Sequence, residues 1–199
     1  QCLLLHDVTF LYDPNGFKKS TLFFYKRYFP KFLHKATTIA TGSAYLKKDL
    51  FIRYKIAEEK IDVVTPAARE VFLPVDESVK EETKREYCEG KSYFIYNQAV
   101  HSKKSLVTLL KAFSIFKKRQ KSNWKLVVTG SLENDSRSFT ESLKAYKYRD
   151  DIVLTGFVKE GDLVKLIGSA YALIRPNQQD GVDGSLLEAM NCHIPVIAS

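Results

Sequence analysis

Cysteine is scarce in this chain of 199 residues. Cys2, Cys88 and Cys192 are odd in number, far apart and in no C-x-x-C spacing, which argues against a disulfide framework or a zinc site and fits a reducing compartment. No apolar run approaches the ~20 residues of a membrane-spanning helix. Cys2-Leu3-Leu4-Leu5 is too short, and lacks the basic flank, to be a signal peptide. Several chemistry-bearing motifs are also missing: there is no GxGxxG, Walker loop, HExxH or GxSxG. Nor is there an Asp-x-Asp pair, so a metal-bridged diphosphate has no motif to rest on, and no metal site is expected. Acid is the scarcer charge, 23 Asp and Glu against 31 Lys and Arg, for a net charge of +8.

What is present describes a folded chain. Apolar residues make up 45%, charged residues 27% and aromatics 13%, which excludes an obviously disordered polymer. A chain of this size buries roughly 70% of its unfolded surface. The basic excess directs attention to polyanions: nucleic acid, an anionic membrane face or phosphate-bearing small molecules. It is concentrated between Phe17 and Arg53, where nine Lys and Arg stand against one acid, Asp49, with Phe23-Phe24-Tyr25 and Tyr28-Phe29 among them. Two explanations fit that stretch: a solvated helix face whose aromatics enter the core, or a surface for anionic lipid headgroups or an anionic ligand.

Short apolar runs alternate with helix-period segments. Strands are expected at 3–5, 37–41 and 61–65, with helices at 17–35, interrupted near Pro30, and at 44–54. Phe72-Leu73-Pro74-Val75 is expected to be an extended connector. A second series places strands at 93–96, 124–129, 152–155, 171–174 and 195–198. Helices are expected between them at 103–119, 138–147, 162–167 and 185–192. In 103–119, Leu106, Leu109, Leu110, Phe113 and Phe116 share one face. Strands repeatedly separated by helices imply an α/β fold with a parallel sheet covered on both faces. The chain begins and ends within expected strands, as a piece of a longer chain would.

Ligands in such sheets bind at the carboxyl ends of the strands, which singles out three places. After 93–96, Lys103 and Lys104 open a helix, where cations oppose the dipole at a cost of ~0.3–1 kcal/mol each unless an anion binds. After 171–174, Gly181 and Gly184 let backbone approach a ligand at a helix start, and Asp180 and Glu188 supply carboxylates that suit sugar hydroxyls. A competing role exists for Glu188: Ser185-Leu-Leu-Glu188 matches a capping box, in which Glu188 would accept from the Ser185 N–H. The third place is His6-Asp7 after the first strand, where a lone histidine is more often structural than catalytic.

Taken in order, these segments resemble the family-4 (group 1) retaining glycosyltransferases, which have two Rossmann-like domains (the GT-B architecture). Tyr93 to Leu106 is similar to the family's "YFLYVGxxHPRKNL", and Leu109 to Phe113 to its "LLxAF". Leu126 to Gly130 and Ile152 to Val158 resemble its "LVIxG" and "VxFxGYV" strands. Asp180 to Met190 resembles "EGFGLPxLEAM", and Pro195 to Ser199 "PVIAS". The resemblance implies two doubly wound domains, both incomplete: residues 1–75 from the acceptor side and 76–199 from the nucleotide-sugar side.

It also implies roles. Lys104, with Lys103 beside it, would neutralise the donor diphosphate. Asp180 would contact the transferred sugar and Glu188 would accept from the ribose hydroxyls. Backbone at Gly184, Ser185 and Leu186 would meet the phosphates, Phe157 and Val158 would border the base, and His6 would reach across from the other domain. The implied activity is retaining, metal-independent transfer from a nucleotide-diphosphate sugar to a glycan or lipid-linked acceptor, without a cofactor. The implied location is cytoplasmic, with the basic stretch as a contact for the inner face of the cell membrane. Six positions depart from the family pattern around the donor pocket: Gln98 and His193 replace glycines, Asp180 is one methylene shorter than the family's Glu, Asp183 replaces a glycine and adds a carboxylate, Ser185 replaces proline and Ser105 replaces asparagine. They leave a second possibility, a non-catalytic relative that binds or scaffolds. A nucleic-acid partner would rest on charge alone and is not expected.

Glu188→Ala separates the two roles of that residue. As a cap alone it would cost ~0.5–2 kcal/mol of stability and leave nucleotide affinity intact; as a ribose acceptor it would cost affinity as well. Calorimetric titration beside thermal unfolding reads both.

Overall fold

Tyr93-Phe94-Ile95-Tyr96 shows how the sequence builds its larger sheet. Tyr93 and Ile95 enter one buried cluster, while Phe94 and Tyr96 enter another on the opposite side. All four are at most 8% exposed, so this is a strand covered on both faces, as its continuous apolar run requires. A computed structural model describes residues 1–12, 14, 17–97, 103–130, 143–176 and 184–198, with the side chains of 103–105 outside the description. The expected helix at 138–147 lies largely outside the described residues.

The chain divides into two units between Ala67 and Ala68. The first contains β1 (Cys2–Leu5), α1 (Thr9–Tyr12), α2 (Lys19–Lys35), β2 (Thr38–Thr41), α3 (Ala44–Tyr54) and β3 (Ile61–Val63). Its strands are parallel in the order β1-β2-β3, with Leu3 opposite Ile39 and Ile39 opposite Ile61. Ser43 caps α3 by accepting from the Leu46 N–H at 3.2 Å. The break expected near Pro30 does not occur, and α2 runs through it. An interior proline costs ~3 kcal/mol, but Phe29 and Leu33 on either side are both buried in the core, which offsets a loss of that size.

The second unit contains α4 (Glu77–Cys88), β4 (Tyr93–Asn97), α5 (Lys103–Gln120), β5 (Lys125–Thr129), β6 (Ile152–Gly156), α6 (Glu160–Gly168), β7 (Ala172–Arg175), α7 (Gly184–Asn191) and β8 (Val196–Ala198). All its strand pairs are parallel, in the order β6-β5-β4-β7-β8. Leu106, Leu109, Leu110 and Phe113 of α5 cover one face, with Phe116 partly buried beside them, as their spacing predicts. Leu166 and Ile167 of α6 and Ala189 of α7 cover the other. Helix α4 was not legible: it is mostly charged and buries only Thr83 and Cys88.

The connector packs with the second unit. Phe72 is fully buried in that unit's core, and Asn191 Nδ2 of α7 donates to its carbonyl at 2.6 Å. A Cβ added to Gly168 would come within 3.0 Å of the Val75 methyls, so glycine is what lets the connector lie against α6. The division therefore falls earlier than the boundary after residue 75 expected from the sequence.

One ion-pair cluster links acid to stability. Glu89, just past α4, accepts from the buried ammonium of Lys125 and from Lys91, each at 2.6 Å. Hydrogen bonds from Lys125 first and Lys91 second lower its carboxyl from 4.5 to about 2. A lowered carboxyl contributes stability that is complete above 4.5 and is lost as pH falls towards about 2. Glu89→Gln should lower the melting temperature at pH 7 and flatten its decline across that acid window, as measured by thermal unfolding at a series of pH values.

Candidate functional site

Strand order reverses between β4 and β7. From β4 the chain proceeds outward through β5 to β6, then returns to the other side of β4 with β7 and β8. Connections on the two sides run to opposite faces, so a crevice opens at the carboxyl ends of β4 and β7, the usual ligand position in doubly wound sheets. Asn97 ends β4 and Arg175 ends β7. The next described elements are α5, opened by Lys103 and Lys104, and α7, opened by Gly184 and Ser185. Topology thus assigns the lysine pair and the glycine-led helix to one end of one sheet. Asp180, Asp183 and Gln98 lie outside the described residues.

Within α7 the capping box does not form. The helix already includes Gly184, so Ser185 lies inside it rather than at its cap. Glu188 Oε1 instead accepts from Arg69 Nε at 2.6 Å. The Glu188 side chain is 7% exposed, whereas that of Arg69 is 52% exposed. Arg69 Nη1 also reaches Glu160 Oε1 at 2.5 Å, at the first residue of α6, and the guanidinium lies 4.6 Å from the Phe72 ring centre. The hydrogen bond that Arg69 donates to Glu188, more than the nearby negative charges, raises the guanidinium pKa further.

The other candidates divide by burial. Leu186 and Val158 pack against the core, so their side chains face inward. Phe157 follows Gly156, whose φ of +65° favours glycine, and is 85% exposed. Ser185 is buried at 9%, and a Cβ added to Gly184 would meet nothing within 4 Å. His6 is exposed in the first unit, after β1; its neighbour Asp7 accepts from the Thr9 N–H at 2.8 Å and so opens α1.

His193 is not in the pocket. Its N–H donates to the Met190 carbonyl and that of Ile194 to Ala189, a Schellman turn closing the far end of α7. At φ 59° it occupies a left-handed position that suits glycine, which accounts for the family's glycine there as a helix stop.

Sequence reasoning missed two features. Thr129 Oγ1 donates to Asn97 Oδ1 at 2.7 Å, tying together the ends of β5 and β4 beside the crevice. Arg69 lies in a stretch without motif or periodicity, and only the tertiary contact with Glu188 reveals it. The two buried cysteines are poor nucleophiles: burial pushes the Cys88 thiol up to about 12 and raises Cys192 as well. Among the described residues no group of three His, Cys, Asp or Glu side chains is placed to hold a metal ion.

His193→Gly should raise stability by about 1 kcal/mol by removing left-handed strain while leaving nucleotide affinity unchanged. Thermal unfolding and calorimetric titration of the same variant test both halves.

Comparison with known proteins agrees with this architecture. The model of the family "Glycosyl transferases group 1" matches residues 79–199. A curated relative, O-antigen chain mannosyltransferase B of Escherichia coli, is 21% identical over 98% of this chain and 51% of its own length. The structure of WaaG, a glycosyltransferase involved in lipopolysaccharide biosynthesis, superposes with a TM-score of 0.80 at 16% identity, over 99% of this chain and 55% of that one. HepE of Anabaena, solved in complex with UDP-glucose, gives 0.76 at 14% identity, over 99% and 52%. The chain spans about half the length of these relatives.

Proposed function

The chain belongs to the group 1 glycosyl transferases, and on that premise we propose that it transfers a sugar from a nucleotide-diphosphate donor to an acceptor hydroxyl, with the anomeric configuration retained and no metal required. The observation that carries this is the strand-order reversal at β4 and β7, which brings the starts of α5 and α7 to one crevice. The names of the relatives, an O-antigen mannosyltransferase and a lipopolysaccharide glycosyltransferase, favour a glycan or lipid-linked acceptor in polysaccharide assembly.

The chemistry asks mainly for charge placement. As the glycosidic bond breaks, an oxocarbenium-like sugar and a leaving diphosphate separate. An ammonium group ~4 Å from a phosphate oxygen is worth about 4 kcal/mol at an effective dielectric of 20, comparable to the loss seen when a single transition-state donor is removed. Lys104 takes that role, supported by Lys103 and the amide groups at the start of α7. Asp180 holds the sugar, Glu188 the ribose hydroxyls, and exposed Phe157 offers a face to the base.

A second possibility, binding without turnover, is favoured by Asp183, whose carboxylate would repel the diphosphate by a similar amount. Calorimetry of the full-length chain with UDP-, GDP- and ADP-sugars, followed by assay for transfer or hydrolysis, separates the two: turnover supports the enzyme, and binding alone supports the scaffold. Lys104→Ala should lower turnover roughly 100-fold without lowering the melting temperature; a normal rate would remove Lys104 from the mechanism.

Helix α2 supports a peripheral membrane contact as well. Tyr25 and Phe29 turn inward, but Phe23, Phe24, Tyr28 and Phe32 are 70%, 47%, 40% and 46% exposed, with Lys31 over the Tyr28 ring. Among the described residues no helix is long and apolar enough to cross a membrane. Replacing Phe23, Phe24 and Phe32 with serine should abolish co-sedimentation with phosphatidylglycerol vesicles; unchanged sedimentation would contradict the contact.

A further inference from the structure

The carboxylate of Glu188 is buried, while the cation that answers it is half exposed and comes from the connector, outside the α7 segment. Holding the Glu188 carboxylate out of water is costly for stability alone, since a buried charge must be compensated by its partner. The connector also grips α7 twice on one face: Arg69 holds Glu188, and the Phe72 carbonyl accepts from Asn191, three positions on. Between these points the guanidinium lies over the buried Phe72 ring, with its remaining edge on Glu160. A planar fork that stacks and bonds along two edges suits arginine and not lysine.

We propose that Arg69 is a positioning residue of the donor site: by binding Oε1 it fixes the Glu188 carboxylate and balances its charge, so that the carboxylate is preorganised to accept from the ribose hydroxyls of a nucleotide. This rests on the ribose role given to Glu188 above. Arg69 acts through Glu188, so its effect vanishes when Glu188 can no longer accept as a carboxylate.

The test is a double-mutant cycle read by calorimetric titration of UDP into the full-length chain. Arg69→Ala should weaken UDP about tenfold or more, and Arg69→Lys, which keeps the charge without the fork, should recover part of that loss. In a Glu188→Gln background, Arg69→Ala should change affinity less than about twofold. Arg69→Gln, which retains a packing stem, serves if the alanine variant fails to fold. Wild-type affinity in the Arg69 variants, or an equal loss with and without Glu188, would overturn the inference and leave the donor site standing. A wild-type chain that binds none of UDP, GDP or ADP would overturn the donor-site reading itself, and this inference with it.

Discussion

The strand order of the second unit's parallel sheet reverses at one place, and the candidate site depends on that reversal. Strands β4 and β7 are neighbours, Phe94 opposite Ala172 and Ile95 opposite Leu173, yet each leads outward to a different flank of the sheet. Hydrogen bonding and burial on both faces hold these two strands fixed. Whatever follows them must start from the same end of the sheet, where doubly wound folds bind their ligands. On the proposed function, the lysine pair at one helix start and the glycine at the other would together bind the donor diphosphate.

The unit is strongly built below the ends of β4 and β7. Tyr93, Ile95, Leu126, Val127 and Leu166 are fully or almost fully buried, and the buried Tyr93 hydroxyl finds its partner in the Leu166 carbonyl at 2.7 Å. Above them the polar groups are tied rather than buried in apolar contact: Thr129 to Asn97, Glu188 to Arg69. A rigid base with an oriented polar rim is what charge stabilisation in a transition state requires, since groups already in place need no reorganisation as the bond breaks.

Much of this was legible in the sequence. The face of α5 followed from the spacing of Leu106, Leu109, Leu110 and Phe113, and the parallel sheet from uninterrupted apolar runs such as Leu126-Val127-Val128. Other features were not. Pro30 obeys tertiary packing rather than local propensity, because Phe29 and Leu33 are buried around it. Helix α4 shows little apolar face, so periodicity has nothing to register. Glu188 matched a capping box on sequence spacing, but α7 starts two residues too early for Ser185 to be its cap, and an arginine 119 positions away takes the carboxylate. His193, a departure from the family pattern grouped with the pocket, turns out to be a helix stop. Of these last two, only Glu188 is decided by a contact with a residue distant in sequence; His193 is settled by the local turn that ends α7.

A crystal of the full-length chain soaked with UDP measures the central claim most directly. The account predicts a diphosphate between the starts of α5 and α7, with Lys104 on its oxygens and Glu188 on the ribose hydroxyls. A nucleotide bound elsewhere, or one in the crevice with Glu188 turned away from the ribose, would contradict it.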